Sequence, residues 1–425
     1  MAVPVRLVEL LREVSAEILD AQRPIRVLRA VAWADDVERR FFAAGAAELP
    51  RPEYRVPIDL HRSLERFRAL KSRVGGGNEI ERFLRETCES LATAARMLQA
   101  VGTKDFYFHS AELYGRPASV SSDRKTTNLD LARHFDQVIA GFVGPPDEGD
   151  RPTLSAEEVA AELGPRLAAF FTGHAIRVEV VDSIAANAVA GAEEVKLKRG
   201  VRFARRDVAQ LEFHEGHVHV ATAINGRRQP IVPFIGSPTP RTMRTQEGLA
   251  VLTEFLTQST SLERLRRLSD RTLAIQMAEE GADFIQLYRF FLEHGHDEGA
   301  AFECARRVCR GGLCEGGAPF TKDVCYLDGL LRVNNFLRVA LVEGQAEMVR
   351  LLFSGKVDVD DVPLLARLAR EGLVSAPVYL PAWARDLSYL TAFMSFSAFL
   401  GECDLAVERR RFGDSVARAE ADFEG

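Results

Sequence analysis

Three of the chain's nine histidines fall within six residues, His214-Glu215-Gly216-His217-Val218-His219. The segment around them reads as a helix from Asp207 to about Asn225-Gly226, with Val208, Leu211, Val218 and Ala221 as apolar positions. That combination constrains the fold strongly. Helical metal sites of the HExxH type place two imidazoles at i and i+4 on one face, but position i+4 from His214 is Val218. His214 and His219 are five apart, about 140° around a regular α-helix, and cannot share an ion unless the turn widens. One extra residue in the turn, as in a π-bulge, stacks i on i+5, and Gly216 makes such a distortion cheaper. The geometric rival pairs His214 with His217, about 60° apart, with His219 as bystander. Helix geometry alone leaves both open, beside the plainer reading of a polar helix face.

A catalytic zinc takes three protein ligands and keeps one position open for water. The third candidate is Glu247 in Thr245-Gln246-Glu247-Gly248-Leu249-Ala250, 28 residues beyond His219 (247 minus 219). A second helix starts near Gln246, and antiparallel packing across the Pro230–Pro240 loop would bring the two segments together. A carboxylate in a first helical turn is also favoured by the helix dipole. Glu254, seven residues on and on the same face, is a possible partner for a ligand imidazole, although a surface or core-rim charge is the expectation. A further cluster, Glu293-His294-Gly295-His296-Asp297-Glu298, reads as a solvated loop at a helix end rather than a second metal site.

The rest of the chain sets the frame. Its 425 residues suffice for two or three domains. A net charge of −6 argues against a polyanionic partner, and Arg205-Arg206 and Arg227-Arg228 are too short to change that; no nucleic acid is expected. The opening residues lack the apolar core of a secretory signal, and no run approaches about 18 apolar residues, so no membrane span is expected. Six scattered cysteines without a CxxC pair suit reduced thiols in a cytoplasm. Helical patterns dominate, and Phe83, Leu84, Leu91, Ala95, Leu98 and Val101 form one apolar face. Asp105–His109 leads into a turn at Leu113–Pro117, and Gly144–Asp150 is the most linker-like stretch. Ser155-Ala156-Glu157-Glu158 is a capping box opening a helix to Phe171. The period then changes: Ile176–Val181 alternates as a strand, and Glu194–Lys198 with Val201–Phe203 flanks Arg199-Gly200 like a tight hairpin. The expected fold class is α+β and predominantly α-helical, with a small β-sheet packed beside the helix that carries HExxxH. The expected regions are 1–150 (helical), 151–335 (core with both motifs) and 336–425 (helical).

The pairing of HExxxH with Gln246-Glu247-Gly248-Leu249-Ala250 resembles the QEGLA-motif family, the flavohaemoglobin expression-modulating proteins, which are similar to the microtubule-associated tyrosine carboxypeptidases. The resemblance runs from roughly Gly75 to Phe336, and the block Phe320–Gly329 looks like another family segment. It implies Zn2+ as cofactor, with His214, His219 and Glu247 as ligands and Glu215 as catalytic base; on this ground, not on geometry, His219 is preferred to His217. It also implies a metallocarboxypeptidase that removes a C-terminal residue, tyrosine or another aromatic, from a peptide or protein. Such an enzyme needs a cation for the substrate carboxylate, for which Lys322 is the candidate, with Tyr326 placed to stabilise an oxyanion. The strand region Val195–Phe203 is a candidate for edge pairing with an extended peptide. The alternatives are a non-catalytic metal-binding regulatory protein and a metal-dependent amidase on a small substrate.

Overall fold

The computed structural model describes residues 3–56, 60–142, 149, 151–182, 184, 186–400, 403–408 and 410–413. Most of this chain is helical, and its strands lie in two small sheets. Local signals set many of the helix boundaries. Asn78 opens helix Glu79–Gln99 by accepting the Glu81 N–H, and that helix buries Phe83, Leu84, Leu91, Ala95 and Leu98 on the face its periodicity predicts. Ser155 and Glu158 form the expected reciprocal cap on helix Ala156–Phe170. Helix Lys104–Tyr114 ends at Gly115, inside the expected turn Leu113–Pro117, and the φ of 81° there suits glycine. The linker-like stretch Gly144–Asp150 lies, apart from Gly149, outside the described residues.

The largest apolar core gathers Ile18, Phe83 and Leu91 with Val218, Leu249, Leu252, Leu337, Phe353 and Trp383. It therefore draws on segments 1–150, 151–335 and 336–425 alike. A second cluster joins Val159, Leu163 and Leu167 of helix Ala156–Phe170 to Val195 and Leu197, and both to Leu211, Val220 and Ala221. The segment that carries HExxxH thus lies between two apolar layers, which fix its position from both sides.

The sheets depart from the hairpin expectation. Strands β1 (Pro152–Leu154) and β5 (Phe203–Ala204) pair antiparallel. Strands β2 (Arg177–Val181), β3 (Ala188–Ala190) and β4 (Glu194–Lys198) form a sheet in the order β2-β4-β3, parallel for β2–β4 and antiparallel for β3–β4. A strand has two edges, and both edges of β4 are taken. The chain still turns at Gly200 (φ 78°), but Phe203 is delivered to β1 instead of returning along β4. The expectation that Val195–Phe203 offers a free edge is corrected for the same reason: β3 is the outer strand beside the site.

Helix Met243–Leu256 crosses helix Val324–Val342 at very short range. A Cβ on Gly248 would sit 2.0 Å from the carbonyl carbon of Gly329, and one on Gly329 would sit 1.9 Å from the Arg244 carbonyl oxygen. Only two glycines allow this approach. It sets the start of helix Val324–Val342, with Lys322 just before it and Tyr326 in its first turn, against Glu247.

Candidate metal centre

The backbone is α-helical over Arg205–Leu211, π-helical over Glu212–Val220, and α-helical again over Ala221–Arg227. The widened turn stacks positions five apart, and the rings of His214 and His219 meet edge to face with centroids 4.9 Å apart. Gly216 also serves this stretch through packing. It is not among the glycines with positive φ, and a Cβ there would come within 2.4 Å of Leu167 Cδ2. The missing side chain lets the wide turn seat on helix Ala156–Phe170. His217 points the other way, stacked on Phe170 at 3.7 Å and 19°.

Nε2 of His214 lies 3.6 Å, and Nε2 of His219 3.7 Å, from Oε2 of Glu247. Among the described residues these three form a group whose ligand atoms all lie within 4.8 Å of one another. The donor set passes a simple test of fit: metal bonds of about 2.0–2.1 Å place tetrahedral neighbours about 3.3 Å apart. Two of the three donors are also held by a second contact. His214 Nδ1–H donates to Glu254 Oε1 at 2.7 Å, so Nε2 is the ring nitrogen left to face an ion. Lys322 Nζ donates to the other Glu247 oxygen, Oε1, at 3.3 Å.

Glu254 is fully buried rather than a rim charge. Burial alone would raise its pKa, but Arg264, through contacts of 3.0 and 3.2 Å, and His214 hold it down at about 2. The Glu247 carboxyl is likewise kept well below its usual range against the effect of burial, by Lys322, His214 and His219. Burial opposes charge on His214, yet Glu247, Glu254 and Glu215 raise it to about 10. Burial lowers His219 despite Glu247. The carboxylates thus draw positive charge to the point where the donors converge.

Glu215 stands beside this group, with Oε1 4.0 Å from His214 Nε2. Its Oε2 accepts the N–H of Ala190 at 2.9 Å, so the outer strand β3 orients it. Lys322 Nζ lies 5.5 Å from the centre of the Tyr326 ring, and burial raises the Tyr326 phenol above its normal range. All six residues singled out in the sequence, His214, Glu215, His219, Glu247, Lys322 and Tyr326, line one cavity of about 680 Å³. Ala188–Ala190 form part of its wall, and Arg23, Arg26, Arg310 and Lys356 add positive charge.

Sequence reasoning missed several residues here. Lys356 donates to the His219 carbonyl oxygen at 3.1 Å, and burial lowers its pKa to about 8. Arg264, Ala190 and Gly329 were missed too, because each acts through a contact distant in sequence. Thr245-Gln246-Glu247-Gly248 held one usable signal: a glycine directly after a candidate ligand, inside a helix, suggests a close backbone approach.

A family model described as microtubule-associated tyrosine carboxypeptidase matches residues 39–402. No curated protein matches the chain. Among solved structures, the chain is similar to a candidate lipoprotein from Colwellia psychrerythraea, with a TM-score of 0.37 and 14% identity over 78% of this chain. The chain spans 66% of the length of that protein.

Proposed function

The chain belongs to the microtubule-associated tyrosine carboxypeptidase family, and from that premise we propose that it is a zinc-dependent carboxypeptidase removing a C-terminal tyrosine or other aromatic residue from a polypeptide. The observation that carries this reading is the convergence of His214, His219 and Glu247 beside Glu215 at the wall of one cavity. When bound, zinc lowers the pKa of a water to near 7 and polarises a carbonyl. His214, His219 and Glu247 would hold it. The remaining steps belong to the protein's own side chains. Glu215, oriented by the Ala190 N–H, takes the proton of the attacking water and returns it to the departing amine. Tyr326, beside Lys322, is placed to donate to the oxygen that becomes negative. Lys322 holds Glu247 through one contact and adds positive charge to the cavity, where a terminal carboxylate is attracted. Strand β3 offers main-chain groups to an extended substrate, the usual way a sheet edge aligns a peptide.

The test is Glu215→Gln in the full chain, with release of the last residue from peptides ending in tyrosine as the readout. The variant should keep its zinc and lose about 10²–10⁴-fold in rate, the range for removing a general base. Undiminished release would exclude Glu215 as the base. No release by the zinc-loaded wild type from any C-terminal peptide library would exclude the carboxypeptidase reading.

A further inference from the structure

We propose a second divalent-metal site, formed by Asp136, Asp270 and His294, that takes a transition ion of the zinc class and clamps three helices together. None of the three lines the catalytic cavity. Asp136 lies on helix Asn128–Ala140, Asp270 on helix Leu262–Glu279, and His294 caps helix Phe284–Glu293. Their ligand atoms all lie within 4.8 Å of one another, a grouping matched among the described residues by the catalytic donors alone.

Three observations point to a cation. Asp270 is wholly buried, and its Oδ1 has no hydrogen-bond partner. An ionised oxygen removed from water without a partner is strongly unfavourable. A second carboxylate, Asp136, approaches it closely, an arrangement that a cation between the two would relieve. Among the described residues neither Asp136 nor Asp270 is paired with a lysine or arginine; the ion-pair contact of Asp270 is His296, Nε2 to Oδ2 at 3.3 Å. Finally, His294 is prepared as a ligand. Its Nδ1–H donates to the Phe290 carbonyl oxygen at 2.8 Å, which fixes the tautomer and leaves Nε2 with its lone pair.

The Glu293–Glu298 loop is exposed at Glu293, Gly295, Asp297 and Glu298, as its glycine and charges suggest, while His294 and His296 are half-buried. Two carboxylates with one imidazole select zinc, manganese or ferrous iron over calcium or magnesium, which prefer oxygen alone. Asp136 and Asp270 are 134 residues apart (270 minus 136), so an ion between them would tie distant parts of the chain. The rival explanation is that the His296 contact satisfies Asp270 without any ion.

The experiment loads the full chain with Zn2+, removes loosely held metal by dialysis, and counts zinc by mass spectrometry. Wild type should retain about two equivalents, and Asp136→Asn and His294→Ala about one each, since a site loses its ion with its ligands. His219→Ala should also retain about one, held at the second site. Equal zinc in wild type, Asp136→Asn and His294→Ala overturns the proposal and favours the His296 pair. Should those two variants misfold, His219→Ala decides the matter: added Zn2+ should raise its melting temperature, and no rise overturns the site.

Discussion

Glu212–Val220 and Met243–Leu256 face each other across the donor group, yet one runs as a π-helix and the other as a regular α-helix. The first brings two of the proposed ligands, His214 and His219, together by changing its own pitch. The second carries the proposed ligand Glu247 without any distortion and is brought into position by a glycine crossing with helix Val324–Val342. A π-helical stretch is rare, and this one is supported by apolar packing on both sides, through Val218 in the main core and Val220 in the smaller cluster. The ligand geometry is thus made once by bending a backbone and once by bringing two backbones close.

The crossing side of this comparison should break most severely. Gly248→Ala adds an atom 2.0 Å from main-chain carbon, where no rotamer change can relieve it. The helix propensity gained is about 1 kcal/mol, against an overpacking cost of about 3 kcal/mol or more because whole helices must separate. Urea unfolding should show a net loss of at least about 2 kcal/mol. Weaker zinc retention should accompany it, since Glu247 moves with its neighbour. Wild-type stability would mean that the two helices slide freely at this point.

The next effect falls on the support of a ligand. Glu254→Gln keeps a side chain of the same shape beside His214 Nδ1 but removes the anion that fixes the imidazole. Loss of such a partner typically weakens metal binding by about 10–100-fold. Competition with a chromophoric chelator measures it. Unchanged affinity would reduce Glu254 to a purely structural partner of Arg264.

How much of this was legible depends on how far apart in sequence the cause lies. The capping box at Ser155 and the apolar face of Glu79–Gln99 are local, and the structure has them. The family resemblance, not geometry, preferred His219 to His217; given that pair, their five-residue spacing required a widened turn for both to face one point. The failures are all tertiary. The burial of Glu254 requires Gln210 and Arg264 around it, and the occupied edges of β4 require β2 and β3. Asp136 gave no signal at all, since nothing near it in sequence marks it as a neighbour of His294.

A smaller change tests why the π stretch tolerates its pitch. Gly216→Ala places a methyl group 2.4 Å from Leu167 Cδ2, the far end of a flexible side chain. Adjustment of Leu167 should hold the net stability change within about 1 kcal/mol, with zinc content unaltered. Loss of zinc together with retained folding would instead show that backbone freedom at Gly216 is what the turn requires.

The smallest expected effect settles which histidines the turn presents. Both ring nitrogens of His217 are buried without a hydrogen-bond partner, and burial lowers its pKa to about 4. Its ring stacks on Phe170 and meets Phe213 edge to face at 5.0 Å, surroundings that suit an aromatic hydrocarbon. His217→Phe keeps the stacking and removes two unsatisfied polar atoms, so stability should stay level or rise by up to about 1 kcal/mol. Zinc content and peptide hydrolysis should be unchanged. Loss of zinc in this variant would assign the metal to the three-residue spacing of an ordinary α-helix. The π-helical turn would then have no part in binding, and the contrast between the two facing helices would lose its chemical meaning.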